Sequence, residues 1–276
     1  LNLSPHLYAL DVSGYTLCGP QLSAEALASL RGIADAALAA ATCAAGAQRR
    51  FAYGSGSRHY EAANVLYCWG AQAFALLEHP VLAALADSVL GDCRLNDITA
   101  FSALPVGAEA AADITTTSWH RDCPVTAEAS VPGHLWFLFL LDDFTPANGA
   151  TWVVPGSHRP GFRPEPECGS PWQSLDLQRF PSRLQLLGSA GDLVVMDARM
   201  IHSSGCNRSE GARRMINVGL VPEARSARLR RSHWRIAGPA LQARCGPRLR
   251  RLLGADLPQL DLGEPPSVLP PGWVTA

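Results

Sequence analysis

The sequence predicts a mainly β domain, a sandwich or jelly roll with flanking α-helices, and three features point to it. From Leu95 onward, apolar residues recur with period two in short runs, the spacing of strand side chains that alternate faces. Turn-forming clusters such as Pro146-Ala147-Asn148-Gly149 break those runs. Helical periodicity gathers ahead of the strands, so the helices should pack on the outside of the β core.

Taken in order, residues 8–17 read as a short opening strand. A helix follows, with Ser23 as its cap, Glu25 in its first turn, and Leu27, Leu30, Ile33 and Ala37 on one face. Residues 51–70 read as irregular and aromatic, with a Gly-Ser-Gly-Ser stretch at 54–57. A second helical region covers 70–90, restarted at Pro80 and stopped at Gly91. Strands are expected at 96–101, 135–141, 151–154, 193–196 and 216–221, the run LWFLFLL at 135–141 being buried on both faces. Two long irregular stretches, 103–118 and 156–190, have the length of binding loops or lids. The expected division is a helical part over about 1–92, a core over about 93–222 and a C-terminal extension over about 223–276, all in one domain.

Composition narrows the function classes. A formal net charge of -1 argues against polyanion binding, and the Arg-rich stretch at 225–251 has no aromatic-basic module for nucleic acid. That stretch reads as a solvated helix face, with an acidic carrier-protein or CoA thioester as the alternative partner. All basic residues are Arg, which points to a GC-rich, bacterial coding bias and weakens each Arg as a signal. The 8 Cys are scattered without CxxC pairs, as in a reducing cytoplasm. No apolar run is expected to span a membrane, no basic-then-apolar leader opens the chain, and Leu rather than Met at position 1 suggests a missing natural start.

The chemistry concentrates on His120-Arg121-Asp122 and His202. On extended backbone, residues i and i+2 face the same side, so His120 and Asp122 form half of a metal site. With His202 they would make the two-histidine, one-carboxylate facial set of mononuclear non-haem Fe(II), which leaves positions open for a cosubstrate and O2. An HxD pair also arises by chance in a chain with 8 His and 24 acidic residues, so the weight comes from context. Arg213 opens the strand after His202, where an antiparallel return could set its guanidinium near the metal to hold a dicarboxylate. A surface Arg is its plain alternative.

Trp119-His120-Arg121-Asp122, Leu141-Asp142-Asp143-Phe144, Asn148-Gly149-Ala150-Thr151, Val154-Pro155-Gly156-Ser157-His158, Gly191-Asp192, and His202 with Ser204 and Arg213 together resemble the phytanoyl-CoA dioxygenase family. The ordered match covers roughly residues 95–222. The resemblance implies a double-stranded β-helix (cupin-like jelly roll), Fe(II) and 2-oxoglutarate, with succinate and CO2 as coproducts of C–H oxidation. It assigns the metal to His120, Asp122 and His202. The distal carboxylate of 2-oxoglutarate falls to Arg213, with Ser204 and Thr151 as further cosubstrate contacts. His158 reads as a turn-holding residue. Many relatives carry Gln just before WHxD, where this chain has Thr116, Thr117 and Ser118. Asp122 disfavours halogenation, since related halogenases replace this carboxylate with a small residue.

Arg58, His59, Tyr60, Arg121, Trp136 and Trp172 are candidates to meet a small-molecule substrate, each with packing or solvent exposure as the alternative. Hydroxylation of a small metabolite in bacterial specialised metabolism is the leading expectation. Its rivals are a cupin-like binding or scaffold protein with a vestigial metal site, and an enzyme using the same site for non-redox chemistry.

Overall fold

A computed structural model describes residues 2–45, 60–106, 114–117, 119–125, 132–162, 182–228 and 233–257. The chain opens with helix α1 (Ser4–Ser13), strand β1 (Tyr15–Pro20) and helix α2 (Ala24–Ala45). The expected strand at 8–17 is thus a correction. Pro5 presets the first turn of α1, and Gly14, with φ 85°, ends it by donating its N–H to Leu10. The strand begins after that turn. Ser23 does cap α2, its hydroxyl accepting the Ala26 N–H at 3.1 Å.

Strand β2 (Tyr60–Asn64) lies in the stretch expected to be irregular. Its short, mostly small-residue sequence carries little β signal, and pairing with β3 (Cys93–Ala103) defines it. Between them run α3 (Ala71–Ala75), a 3-10 turn and α4 (Pro80–Leu90). Contrary to expectation, Ala71–Leu90 has the length and apolarity of a membrane span. Here it is broken before Pro80, and Phe74, Leu77, Leu82 and Leu85 are buried in the protein's own core.

The remaining strands are β4 (Leu135–Leu140), β5 (Trp152–Val153), β6 (Leu184–Gln185), β7 (Asp192–Asp197), β8 (His202–Ser203) and β9 (Arg213–Pro222). They form a six-stranded antiparallel sheet, β1-β7-β4-β9-β3-β2, and a three-stranded one, β6-β5-β8. From β4 onward the chain passes back and forth between the two sheets, which is the winding of a jelly roll.

The alternation along β4 and β7 explains the continuous apolar run. Phe137, Phe139, Leu193 and Val195 face outward into the layer that holds the helices. Leu138, Leu140, Val194 and Met196 face inward to the small sheet with Phe144 and Val153. On β9, Ile216, Val218 and Leu220 continue the outer core, while Arg213, Met215 and Asn217 belong to the inner face. Polar residues are kept on the inner face of an otherwise apolar strand.

Beyond β9, a 3-10 turn precedes α5 (His233–Gln242) and α6 (Pro247–Leu252). Much of the Arg-rich extension is committed to contacts within the chain. Arg248 pairs with Asp87 and Arg251 with Asp92, while Arg244 and Arg250 stack on Phe74 and Trp234. Arg94, buried in β3, donates to Glu223 and Asp256 and so pins the extension to the sheet.

Candidate active site

The segment carrying His120 runs along the free side of β8. His120 and His202 exchange both backbone hydrogen bonds at 3.0 Å, and β5 pairs with β8 on its other side. This pairing places two residues 82 positions apart side by side. Their rings lie with centroids 4.3 Å apart. Asp122 then turns back, its N–H donating to the Ala198 carbonyl at 3.0 Å.

The three ligand atoms of His120, Asp122 and His202 lie within 4.8 Å of one another. Asp122 Oδ1 is 3.4 Å from His120 Nε2, and Oδ2 is 3.4 Å from His202 Nε2. The Nδ1–H of His202 donates to the Met200 carbonyl at 3.1 Å, which leaves the Nε2 lone pair pointing to the shared centre. Burial, with the neighbouring His120 ring, holds the His202 imidazole below its ordinary range against the pull of Asp122, so the neutral, ligating form is favoured. Burial works against the Asp122 charge. The His202 and His120 rings and the Trp136 indole N–H outweigh it and keep the carboxyl well below the usual range. A neutral His202 and an anionic Asp122 beside the His120 imidazole make a donor set suited to a divalent transition metal.

These side chains open into a cavity of about 180 Å³. Arg213, Ser204, Thr151, Thr117, Trp136 and Asn217 line it with the triad. Arg213 is buried, stacks on Phe144 at 4.0 Å and donates from Nη2 to the Gly149 carbonyl at 2.8 Å. Burial lowers its pKa to about 10, so it remains a cation. Its Nε is buried without a hydrogen-bond partner among the described residues. A buried guanidinium on the wall of the cavity that holds the triad suits an anion there. Thr117 bonds Ser203 Oγ and the Ser204 N–H, fixing the stretch just before the His120 segment to β8.

Other candidates fall differently. Arg121 donates to the Ser157 carbonyl and is not among the cavity-lining residues. Trp136 does line the cavity, but its indole N–H donates to Asp122 Oδ2 at 2.8 Å. His158 bonds the Asp11 carbonyl at 3.0 Å, holding α1 to the turn after β5. Arg58, His59 and Trp172 lie outside the described residues, as does the side chain of Tyr60. Sequence reasoning passed over Asn217, a cavity-lining residue whose Oδ1 is buried and unbonded among the described residues. Its position in phase with Arg213 on an otherwise apolar strand was the available signal.

Comparison with known proteins fits this geometry. The family model described as Phytanoyl-CoA dioxygenase (PhyH) matches residues 10–215. Dioxygenase trt7 of Aspergillus terreus is 30% identical over 157 residues, 53% of this chain and 49% of its own. The chain thus spans about half the length of that relative. Among solved structures, the epimerase SnoN in complex with Fe3+, alpha ketoglutarate and nogalamycin RO superposes with a TM-score of 0.61 at 22% identity, covering 80% of this chain and 83% of that one. HygX from Streptomyces hygroscopicus, with nickel, 2-oxoglutarate and hygromycin B bound, gives 0.58 at 16% identity over 79% and 87%. These two share the fold, and the match across the jelly roll, from α1 into β9, places this chain in the phytanoyl-CoA dioxygenase family.

Proposed function

We propose that the protein is an Fe(II)/2-oxoglutarate-dependent oxygenase that oxidises a C–H bond of a small metabolite in specialised metabolism, with succinate and CO2 as coproducts. The observation that carries the reading is one cavity holding both the His120–Asp122–His202 cluster and a buried Arg213 with an unmet donor. A metal site alone would suit many chemistries; a metal beside an anion receptor suits a chelating keto-diacid.

His120, Asp122 and His202 would hold the iron, and Arg213 would receive the distal carboxylate, with Ser204 and Thr151 beside it. Bound iron supplies the redox chemistry that no side chain can. The chain's own part is to keep His202 neutral through burial, to fix its tautomer through the Met200 carbonyl, to keep Asp122 ionised, and to bury the carboxylate receptor away from water. At about 180 Å³ the described cavity is smaller than the roughly 300–1,000 Å³ of pockets that enclose a drug-sized ligand. It suits a five-carbon diacid, so the bulk of a larger substrate would sit above the metal. Both named structural neighbours hold bulky natural products, nogalamycin RO and hygromycin B, in keeping with such an arrangement. SnoN is an epimerase, so the fate of the oxidised substrate extends beyond hydroxylation within this fold. The Arg contacts within the C-terminal extension favour a free small molecule over a carrier-bound one.

Loading the protein anaerobically with Fe(II) and 2-oxoglutarate and then admitting O2 should release succinate in the wild type and none in Asp122→Ala. Circular dichroism should show the same fold in both. Full turnover by Asp122→Ala would remove the metal assignment, and a wild type that binds no metal and forms no succinate would favour a scaffold.

A further inference from the structure

A facial metal set keeps three coordination positions open only while its carboxylate binds through one oxygen. A carboxylate that swung to bidentate binding would fill one of them. Something must hold the second oxygen, and the structure supplies a donor for it.

The Trp136 indole N–H sits 2.8 Å from Asp122 Oδ2. The indole itself is constrained from two sides. His134 packs against it with ring centroids 4.3 Å apart, and that imidazole is buried with no hydrogen-bond partner for Nε2 among the described residues. It therefore serves as a packing surface. On the neighbouring strand, Trp136 is in register with Gly219. A Cβ at Gly219 would lie 2.6 Å from both His134 Nε2 and Trp136 Cζ3, so both rings rest against bare backbone. Gly219 has no positive φ, which leaves space for the rings as the reason for glycine here.

We propose that Trp136 is a positioning residue for the metal carboxylate: its N–H occupies Asp122 Oδ2, leaving Oδ1 for the metal, and His134 with Gly219 fixes the ring that carries the donor. This rests on the His120–Asp122–His202 metal reading and assigns Trp136 a task other than substrate contact. It separates two functions within one cavity, since the donor acts through Asp122 rather than on the oxidised molecule.

The test uses Mn(II) as probe, titrated into the apo protein. Outer-shell partners of metal ligands are worth about 10–100-fold in metal affinity. Trp136→Phe, which keeps the ring stack and removes the donor, should weaken Mn(II) binding by about that factor with circular dichroism unchanged. Gly219→Ala, which keeps the donor but forces both rings to move, should weaken it in the same direction. On the unaltered protein, Co(II) loading with 15N-labelled tryptophan should give one indole N–H shifted far outside the range of the other six of the 7 Trp. Parental Mn(II) affinity in a folded Trp136→Phe, or no such shifted indole, would overturn the proposal. A parent chain that binds no Mn(II) would instead overturn the metal reading beneath it.

Discussion

At the residue scale, residue type suggests a metal only together with the motifs around it in the chain. Two histidines and an aspartate at these spacings suggested a metal, and the structure brings their ligand atoms within 4.8 Å. His134 and Asn217 were opaque, and Trp136 was singled out only as a substrate contact, because what distinguishes them is a neighbour far along the chain. Arg213 offers a direct prediction. On the proposed role, truncation to Ala would remove a charge-assisted contact worth about 1.5–3 kcal/mol, so the 2-oxoglutarate requirement should rise by roughly 10–100-fold in a succinate assay. Unchanged dependence on 2-oxoglutarate would show that the anion sits elsewhere. Asn217 makes the opposite kind of prediction. Its buried, unbonded carbonyl oxygen disfavours the resting protein, and Asn217→Leu should leave the melting temperature unchanged or raise it by a few degrees. A fall of several degrees would mean that the amide supports the sheet rather than awaiting a ligand.

At the element scale, period-two apolar runs located β3, β4, β7 and β9, because a strand covered on both faces must be apolar throughout. The short strands β2, β6 and β8 escaped notice, since neighbouring strands define two to five residues more than their own propensity does. At 8–17 the alternation of Tyr8, Leu10 and Val12 mimicked a strand, although Pro5 and Gly14 bracket a helix there. The turn before β5 shows how an element serves the site. Gly149 has φ 78°, and a Cβ there would lie 2.6 Å from the Gly205 carbonyl oxygen, while its own carbonyl accepts from Arg213. Gly149→Ala should therefore cost about 2–4 kcal/mol, from left-handed strain plus overpacking, and loosen the Arg213 anchor. Chemical denaturation and a 2-oxoglutarate titration measure the two effects. Loss of stability with 2-oxoglutarate binding intact would separate the turn from the site.

At the scale of the whole molecule, periodicity indicated two layers and a helical coat, while the order in which strands cross between sheets came from family resemblance. Crossing order depends on pairings between residues far apart in the chain, and no local pattern encodes them. The same long-range logic ties the helical coat to the jelly roll through Asp142, at the end of β4. Its carboxylate accepts from the Arg214 N–H, Nε and Nη2, and Arg31 on α2 lies 3.3 Å away. Arg214 also reaches Asp35 on α2 at 2.8 Å, one residue from the Arg213 anchor. Burial opposes the Asp142 charge, but the Arg214 hydrogen bonds and the Arg31 field outweigh it, so its folded-state pKa lies below the usual value. A depressed carboxylate pKa stabilises the fold above the unfolded value of about 3.9, and that stabilisation is lost as the pH falls through the folded value. Asp142→Asn should therefore melt lower than the parent at neutral pH, and the gap should close as the pH drops below about 4. Melting curves from pH 7 to pH 3 follow that gap. If it stays constant with pH, the helical coat is held by packing on Phe137, Phe139 and their neighbours and not by this charge cluster.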